Sequence, residues 1–286
     1  MQNLKSILEL LRPIGWGASD ILRSYYHGDK QSDLNIEYKD DKGKDPVTAA
    51  DLAVSNYILK ALQSELGNEK FDYISEETYR NQDGKNNSEW VWIIDPLDGT
   101  KDFINKTGEY AIHIALVRNN RPELALVAIP ETQKLYYAIK GSGTYVENID
   151  GNIKSLRVSE SDNSRDLTLV ASRNHRNKKL NYLLEKLRFK NQKSVGSIGG
   201  KIVEIIEQKA DIYISLSGKS APKDWDIAAP ELILTEAGGK FTHFDTTPLQ
   251  YNTGDISQWG GLLASNSKCH EIICKQAESI LQDFIQ

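Results

Sequence analysis

One stretch in the first half of the chain restricts the possible folds more than any other. Residues 90–94 form an uninterrupted apolar run, Trp-Val-Trp-Ile-Ile, and residues 95–100 continue it as Asp-Pro-Leu-Asp-Gly-Thr. A short apolar run that ends at turn-forming residues is typical of a buried strand. We therefore predict a buried strand whose end carries two carboxylates, Asp95 and Asp98, three positions apart.

The turn after this strand has the chemistry of a site for a metal ion and a phosphate. Pro96 fixes the backbone, so that Asp95 and Asp98 can point toward one locus. Gly99 and Thr100 expose backbone N–H groups where a short helix could begin, which suits a phosphate oxygen. Carboxylates next to such N–H groups favour Mg²⁺ with a phosphate ester. An ordinary Asx/Pro turn is the alternative, and it would be preferred if this motif stood alone.

Further carboxylates occur where other predicted elements begin or end. Glu76 and Glu77 follow a strand-like run at 71–75, Asp226 begins a later helix, and Asp51 lies on a helix of the first half. Each has a plainer explanation as a solvated strand end, a helix cap or a surface acid. Together with the pair at the end of the apolar run, they supply the carboxylates that a phosphate site with several metal ions needs.

The remaining pattern divides the chain into two halves. Residues 1–155 combine an amphipathic first helix, a helix over Pro46–Leu66 and several strand-like runs, which is typical of an α+β arrangement. Residues 156–286 alternate strands with helices, as in α/β proteins. The polar segment 147–166, with the hairpin signal Asp150-Gly151, marks the predicted boundary between two domains. We expect a layered αβαβα arrangement.

Composition excludes several classes of function. The 286 residues carry 35 Lys and Arg against 40 Asp and Glu, and a net charge of -5 does not favour binding to duplex nucleic acid. No apolar run approaches the roughly 18 residues of a membrane helix. Only Cys269 and Cys274 are present, too few for a disulfide framework, so a cytoplasmic location is expected. The sequence indicates no obligate protein partner.

Two of these blocks together resemble the lithium-sensitive, magnesium-dependent phosphatase superfamily, which includes inositol monophosphatases, fructose-1,6-bisphosphatases and bisphosphate nucleotidases. One is the Asp-Pro-x-Asp-Gly-Thr block at 95–100, and the other is the Trp-Asp…Glu-Ala-Gly-Gly block at 225–239. The match in order and spacing covers roughly residues 45 to 265. The resemblance implies an αβαβα sandwich, two or three Mg²⁺ ions and inhibition by lithium.

Roles for individual residues follow from the same resemblance. It implies that Thr100 and Asp51 orient and deprotonate the attacking water, with Glu76 as a further catalytic residue. The expected course is a single in-line displacement without a covalent phosphoenzyme. The implied metal ligands are the carboxylates of Glu76, Asp95, Asp98 and Asp226 and the backbone carbonyl of Leu97.

Two segments of the second half bear on the substrate. Residues 171–175, Ala-Ser-Arg-Asn-His, resemble a segment of 3′(2′),5′-bisphosphate nucleotidases, and Gly-Ser-Ile-Gly-Gly-Lys at 196–201 matches their small-residue turn closed by lysine. The plainer alternatives are a surface histidine at 175 and a solvated lysine at 201. The resemblance implies that the substrate contacts are Gly99, Thr100, His175, Ser197, Gly200, Lys201 and Asp226.

The leading hypothesis is removal of the 3′-phosphate of 3′-phosphoadenosine 5′-phosphate to give AMP, with the sulfated analogue as a further substrate. Ser215 stands where inositol monophosphatases carry an acidic residue that contacts sugar hydroxyls. A carboxylate there would repel a second phosphate, whereas serine would not. An inositol monophosphate or bisphosphate phosphatase is the rival within this fold, and a non-catalytic nucleotide-binding regulator is the rival from another class.

Overall fold

The computed structural model describes residues 3–28, 30, 33–39, 46–67, 69–79, 88–174 and 176–285. The helices are α1 (Leu4–Tyr26), α2 (Ala49–Leu66), α3 (Thr100–Ile104), α4 (Lys178–Leu187), α5 (Ile198–Ile206), α6 (Asp224–Glu236) and α7 (His270–Ile285), with a 3₁₀ turn at Pro130–Thr132. The strands are β1 (Ile36–Tyr38), β2 (Pro46–Thr48), β3 (Phe71–Ser75), β4 (Trp90–Asp98), β5 (Ala111–Arg118), β6 (Arg121–Ile129), β7 (Lys134–Ile139), β8 (Thr144–Asn148), β9 (Ile153–Leu156), β10 (Thr168–Ser172), β11 (Asn191–Val195), β12 (Ile212–Leu216), β13 (Lys240–His243) and β14 (Gly261–Ser265).

Two large sheets carry the architecture. A seven-stranded sheet runs in the order β3-β4-β5-β6-β7-β8-β9, with β3 parallel to β4 and every later pair antiparallel. A five-stranded sheet runs in the order β11-β10-β12-β14-β13, with β10 parallel to both of its neighbours. Strands β1 and β2 form a separate antiparallel pair.

Side chains of β4 alternate between two hydrophobic cores because successive residues of a strand point to opposite faces. Trp92 and Ile94 pack in one core with apolar residues of α1 and α2. Val91 and Ile93 pack in a second core with apolar residues of α5 and α6. The apolar run at 90–94 is therefore continuous because β4 is covered on both faces.

The five-stranded sheet completes the layers. Tyr213 and Ala264 reach from it into the core formed around α5 and α6. Leu169 and Ile212 point to the opposite face, where they pack against α4 and α7. The order of layers is α1/α2, the seven-stranded sheet, α5/α6, the five-stranded sheet and α4/α7. This confirms the predicted αβαβα sandwich.

The structure corrects the local prediction for the turn after the apolar run. Strand β4 does not end at Ile94 but continues to Asp98, which pairs with Ala111 after a shift of register between Asp95 and Asp98. Pro96 lacks an N–H donor, so a bulge accommodates it without ending the strand. Both carboxylates therefore belong to the last residues of one buried strand.

Two further predictions have clear outcomes. The helix predicted over Pro46–Leu66 begins only at Ala49, because Pro46–Thr48 pairs with β1 and Thr48 caps the helix. The Asp150-Gly151 hairpin signal is confirmed, since β8 and β9 pair across it and Gly151 has a φ of 78°. The division into domains 1–155 and 156–286 stays a prediction.

Among the described residues, no helix combines the length and the apolar character that crossing a bilayer requires.

Candidate active site

The end of β4 and the start of α6 bring three carboxylates together. One carboxylate oxygen each of Asp95, Asp98 and Asp226 can be chosen so that all three lie within 4.8 Å of one another. The β4 bulge positions the first two, and Leu97 N–H donates to Asp95 Oδ1 at 3.0 Å. Asp226 is held in the first turn of α6, where the N–H of Lys223 donates to its Oδ2 at 2.5 Å.

Burial and mutual repulsion govern the ionisation of this cluster. Burial, together with the charges of Glu76, Asp98 and Asp226, raises the pKa of Asp95 well above its usual value. Burial also raises the pKa of Asp226 to about 8, with Asp98 and Glu76 adding to the shift. Ionised carboxylates this close are stable only beside compensating positive charge. Three clustered carboxylate oxygens are the donors that Mg²⁺ prefers, so the residues present fit a divalent cation.

Asp98 differs from the other two carboxylates. Burial alone would raise its pKa, but His113, Lys201 and the N–H of Gly199 outweigh burial, so the pKa is lowered. The Gly199 N–H donates to Asp98 Oδ2 at 2.9 Å, and His113 Nε2 lies 3.2 Å from the same oxygen. Asp98 is therefore the member of the cluster that the protein itself holds in the charged form.

Glu76 lies close to the cluster but is not among the three carboxylates that meet within 4.8 Å. Its backbone N–H donates to Ile94 O at 3.1 Å, directly beyond the paired part of β3. Its Oε1 accepts a hydrogen bond of 2.8 Å from Lys39 Nζ, which also donates to Glu77 Oε1. Glu76 acts on the cluster through its negative charge, which raises the pKa of both Asp95 and Asp226.

The structure brings Thr100 and Asp51 into contact. The Thr100 hydroxyl lies 3.2 Å from Asp51 Oδ1 and 3.1 Å from the carbonyl oxygen of Leu97, so its hydrogen can reach either acceptor. Oδ2 of Asp51 accepts from both the N–H and the hydroxyl of Thr48, at 2.8 and 2.6 Å. This capping box at the start of α2 fixes the carboxylate.

Asp51 is 1 % exposed, and its environment opposes ionisation. Burial raises the pKa of Asp51 to about 7; Glu77 and Glu76 add to the shift, and the bonds from Thr48 reduce it. A carboxylate with a pKa near neutrality, hydrogen-bonded to a hydroxyl, is suited to accept a proton at physiological pH.

The predicted substrate turn lies beside the cluster, but its polar groups are already engaged. Ser197 caps α5, and its hydroxyl accepts from Gly200 N–H at 3.0 Å. Lys201 is 1 % exposed, and its ammonium donates to the carbonyls of Gly196 and Ser197 at 2.7 and 2.9 Å. Burial lowers the pKa of Lys201 to about 8. The solvated-lysine alternative is therefore wrong, and these two bonds use two of the three hydrogens of the ammonium.

Of the other predicted substrate contacts, the structure describes Gly99 but not His175. Gly99 has a φ of 93° at the start of α3, and a Cβ there would lie 2.9 Å from the carbonyl oxygen of Glu109. A side chain at this position would be strained, which explains glycine in the motif. His175 lies outside the described residues.

Sequence reasoning missed two buried polar groups, one against the cluster and one on α3. His113 is a single histidine within the apolar strand β5, and that interruption was the available signal. Asp102 follows Thr100 on α3 and is 2 % exposed; it accepts from Arg173 at 2.5 Å and from Asn174 at 2.9 Å. Arg173 also donates to Glu109 at 2.8 Å, so it joins α3 to the end of β10.

A five-layer sandwich that holds clustered carboxylates beside a hydroxyl–carboxylate pair defines the class of metal-dependent phosphatases. A sequence model described as "Inositol monophosphatase family" matches residues 3–282, and the chain belongs to this family. The family resemblance indicated by the two sequence motifs is thereby confirmed. Metal dependence is general in the family, in agreement with the acidic cluster.

Curated relatives and solved structures refine this assignment. The chain is 31% identical over 242 residues to a 3′(2′),5′-bisphosphate nucleotidase CysQ of Haemophilus influenzae, covering 84% of this chain and 85% of the relative. It is 32% identical over 248 residues to CysQ of Buchnera aphidicola, covering 87% and 88%. A Thermotoga maritima IMPase has the same fold, with a TM-score of 0.79, 21% identity and coverage of 97% and 99%. An inositol monophosphatase from Anabaena has a TM-score of 0.75, 23% identity and coverage of 97% of each chain.

Proposed function

We propose that this chain hydrolyses the 3′-phosphate of 3′-phosphoadenosine 5′-phosphate to give AMP and phosphate. The observation that carries the reaction type is the cluster of Asp95, Asp98 and Asp226 within 4.8 Å, next to the Thr100–Asp51 pair. The substrate class is supported by the bisphosphate nucleotidases to which the chain is similar over most of its length. Ser215 in place of an acidic residue is compatible with a second phosphate.

The metal-binding residues proposed for this reaction come from both halves of the chain. The proposed cation is Mg²⁺, which prefers carboxylate and carbonyl oxygens as ligands, and the family resemblance implies two or three ions. A bound divalent cation supplies positive charge that makes water a stronger nucleophile and stabilises the oxygen that leaves. The proposed ligands are Glu76, Asp95, the carbonyl oxygen of Leu97, Asp98 and Asp226.

Proton movement in the proposed reaction depends on Thr100 and Asp51. The Thr100 hydroxyl can accept a hydrogen bond from the attacking water while it donates its own hydrogen to an acceptor of the protein. Asp51 Oδ1 at 3.2 Å and Leu97 O at 3.1 Å are the available acceptors. Because Thr48 fixes the other Asp51 oxygen, Oδ1 stays directed at Thr100. Thr100 would thus orient the water, and the proton would reach Asp51 through the hydroxyl: Thr100 gives its own hydrogen to Asp51 Oδ1 and takes one from the water.

Substrate contacts are proposed from the elements around the cluster. Backbone N–H groups at Gly99 and Thr100 suit the phosphate that is removed. His175, Ser197, Gly200 and Lys201 are proposed for the second phosphate and its nucleoside. The ammonium of Lys201 uses two of its three hydrogens on carbonyls, so in this proposal it offers the second phosphate its positive charge and its remaining N–H.

The setting proposed for this activity is the cytoplasm. Both cysteines are buried and unpaired, which is compatible with a reducing compartment. There the enzyme would clear a by-product of sulfate assimilation. The sulfated analogue, 3′-phosphoadenosine 5′-phosphosulfate, is proposed as a second substrate, and lithium as an inhibitor.

A threonine pair tests the proposed chemistry. Thr100→Val removes the hydroxyl beside Asp51, whereas Thr132→Val removes a hydroxyl that donates to Ile129 O at 3.3 Å. Phosphate release from 3′-phosphoadenosine 5′-phosphate in Mg²⁺ is expected to lose about 10²-fold in kcat with Thr100→Val and to be unchanged with Thr132→Val. Equal rates for the two variants would contradict the role of Thr100.

A further inference from the structure

A buried histidine contacts the acidic cluster from β5. His113 is 0 % exposed, and its Nδ1 lies 3.3 Å from the carbonyl oxygen of Trp225. A carbonyl oxygen can only accept, so Nδ1 carries the hydrogen of this bond. On the other side of the ring, Nε2 lies 3.2 Å from Asp98 Oδ2, without the alignment of a hydrogen bond.

Helix α5 packs directly on the imidazole ring of His113. A Cβ at Gly199 would lie 2.3 Å from His113 Nε2, so the backbone of α5 sits against the imidazole with no room for a side chain. The N–H of Gly199 donates to Asp98 Oδ2 at 2.9 Å. The Gly199 N–H therefore holds Oδ2 of Asp98 by a hydrogen bond, and His113 Nε2 packs against the same oxygen.

These contacts join the two elements that carry the clustered carboxylates. Asp98 ends β4, and Trp225 directly precedes Asp226 at the start of α6. We propose that His113 is a positioning residue of the metal centre, which fixes Asp98 relative to the first turn of α6. This inference rests on the proposed function, because it concerns the same carboxylates.

The ring has a specific geometric task in this proposal. The two nitrogens of an imidazole are held at a fixed separation by the ring. A residue bonded through one nitrogen to α6 and placed against Asp98 through the other therefore sets the distance between Asp98 and Asp226. Groups that orient ligands in this way commonly change metal affinity about 10- to 100-fold when they are lost.

Direct binding of Mn²⁺ without substrate tests the proposal. Mn²⁺ prefers the same oxygen ligands as Mg²⁺, and its free concentration can be measured by electron paramagnetic resonance. His113→Phe keeps a ring and removes both nitrogens, and we expect Mn²⁺ to bind at least 10-fold more weakly. His270→Phe is the matched control, since His270 is also buried between two oxygen partners, Ser265 and Thr242, away from the cluster. It is expected to keep the parental Mn²⁺ affinity.

Further variants separate the possible failures. If His113→Phe does not fold, His113→Asn retains one donor, and a loss of at least threefold in Mn²⁺ affinity supports the proposal. Parental affinity in whichever His113 variant folds, or an equal loss in His113 and His270 variants, overturns it. Asp98→Asn tests the metal centre itself: if that variant binds Mn²⁺ as the parent does, the proposed function fails as well as the role of His113.

Discussion

Asp51 is expected to make the metal-free protein less stable as the pH rises, because its pKa is raised in the folded state. Its carboxyl is 1 % exposed, and burial raises its pKa from 3.8 to about 7. A pKa raised in the folded state means that folding favours the protonated form. The contribution of Asp51 to stability is therefore complete below pH 4 and is lost as the pH rises through 7.

The size of this loss of stability follows from the shift in the pKa of Asp51. A difference of about three pH units corresponds to about 4 kcal/mol of unfolding free energy, lost at up to about 1.4 kcal/mol per pH unit. Asp51→Asn removes the titrating group, so the slope of its unfolding free energy against pH is expected to be more positive than the parental slope by up to that amount per pH unit. Urea unfolding in a chelator at pH 4, 5, 6 and 7 measures the slope directly.

Two matched variants separate titration from simple destabilisation. Burial raises the pKa of Asp224 to about 7, and its carboxylate bonds to Asn252 and Gln258 rather than to Thr100. Asp224→Asn should make the slope more positive to a similar extent, whereas Asp150→Asn, in an exposed hairpin turn, should leave the slope unchanged. If Asp51→Asn keeps the parental slope, the reasoning about its burial is refuted.

Three other substitutions have distinct expected outcomes. Asp95→Asn should reduce turnover about 10³-fold or more with an unchanged circular dichroism spectrum, and near-parental turnover would remove the metal centre as proposed. Gly199→Ala places a methyl group 2.3 Å from His113 Nε2. We therefore expect a loss of about 1–3 kcal/mol in unfolding free energy and a higher Mg²⁺ concentration for half-maximal activity. Parental values of both quantities would contradict the close packing of α5 on His113. Lys201→Met removes the ammonium that bonds to Gly196 O and Ser197 O, although Ser197 O keeps the backbone N–H of residue 201, and it should cost about 1–3 kcal/mol on urea unfolding. A raised KM at unchanged stability would show a direct substrate contact instead.

The parts of the fold that were predictable are those in which local pattern and tertiary environment agree. The apolar run at 90–94 indicates a buried strand, and β4 is buried along its whole length. The Asp150-Gly151 signal predicts a hairpin because glycine tolerates the positive φ that the turn requires. The start of α2 was misplaced because Thr48 is the better cap, and Pro46 is tolerated in a short strand.

The parts of the site that were predictable come from motifs in which neighbouring residues share one task. Asp95 and Asp98 lie on one strand, so their approach needs only the β4 bulge. The burial of Lys201 and the contacts of His113 depend on how α5 and α6 pack against β5, which no local pattern records. A lysine on a short helix carries no sequence sign that two carbonyls of its own turn will hold it.

Phosphate release by the purified protein tests the central claim most directly. Rates in Mg²⁺, with and without Li⁺, would be compared for 3′-phosphoadenosine 5′-phosphate, inositol 1-phosphate, inositol 1,4-bisphosphate and fructose 1,6-bisphosphate at equal concentrations. We predict that the adenosine bisphosphate is preferred about tenfold or more, equivalent to about 1.4 kcal/mol of transition-state stabilisation, and that Li⁺ inhibits. A preference for inositol 1-phosphate would contradict the assignment of the second-phosphate pocket, and the absence of release from all four would contradict the account of the active site.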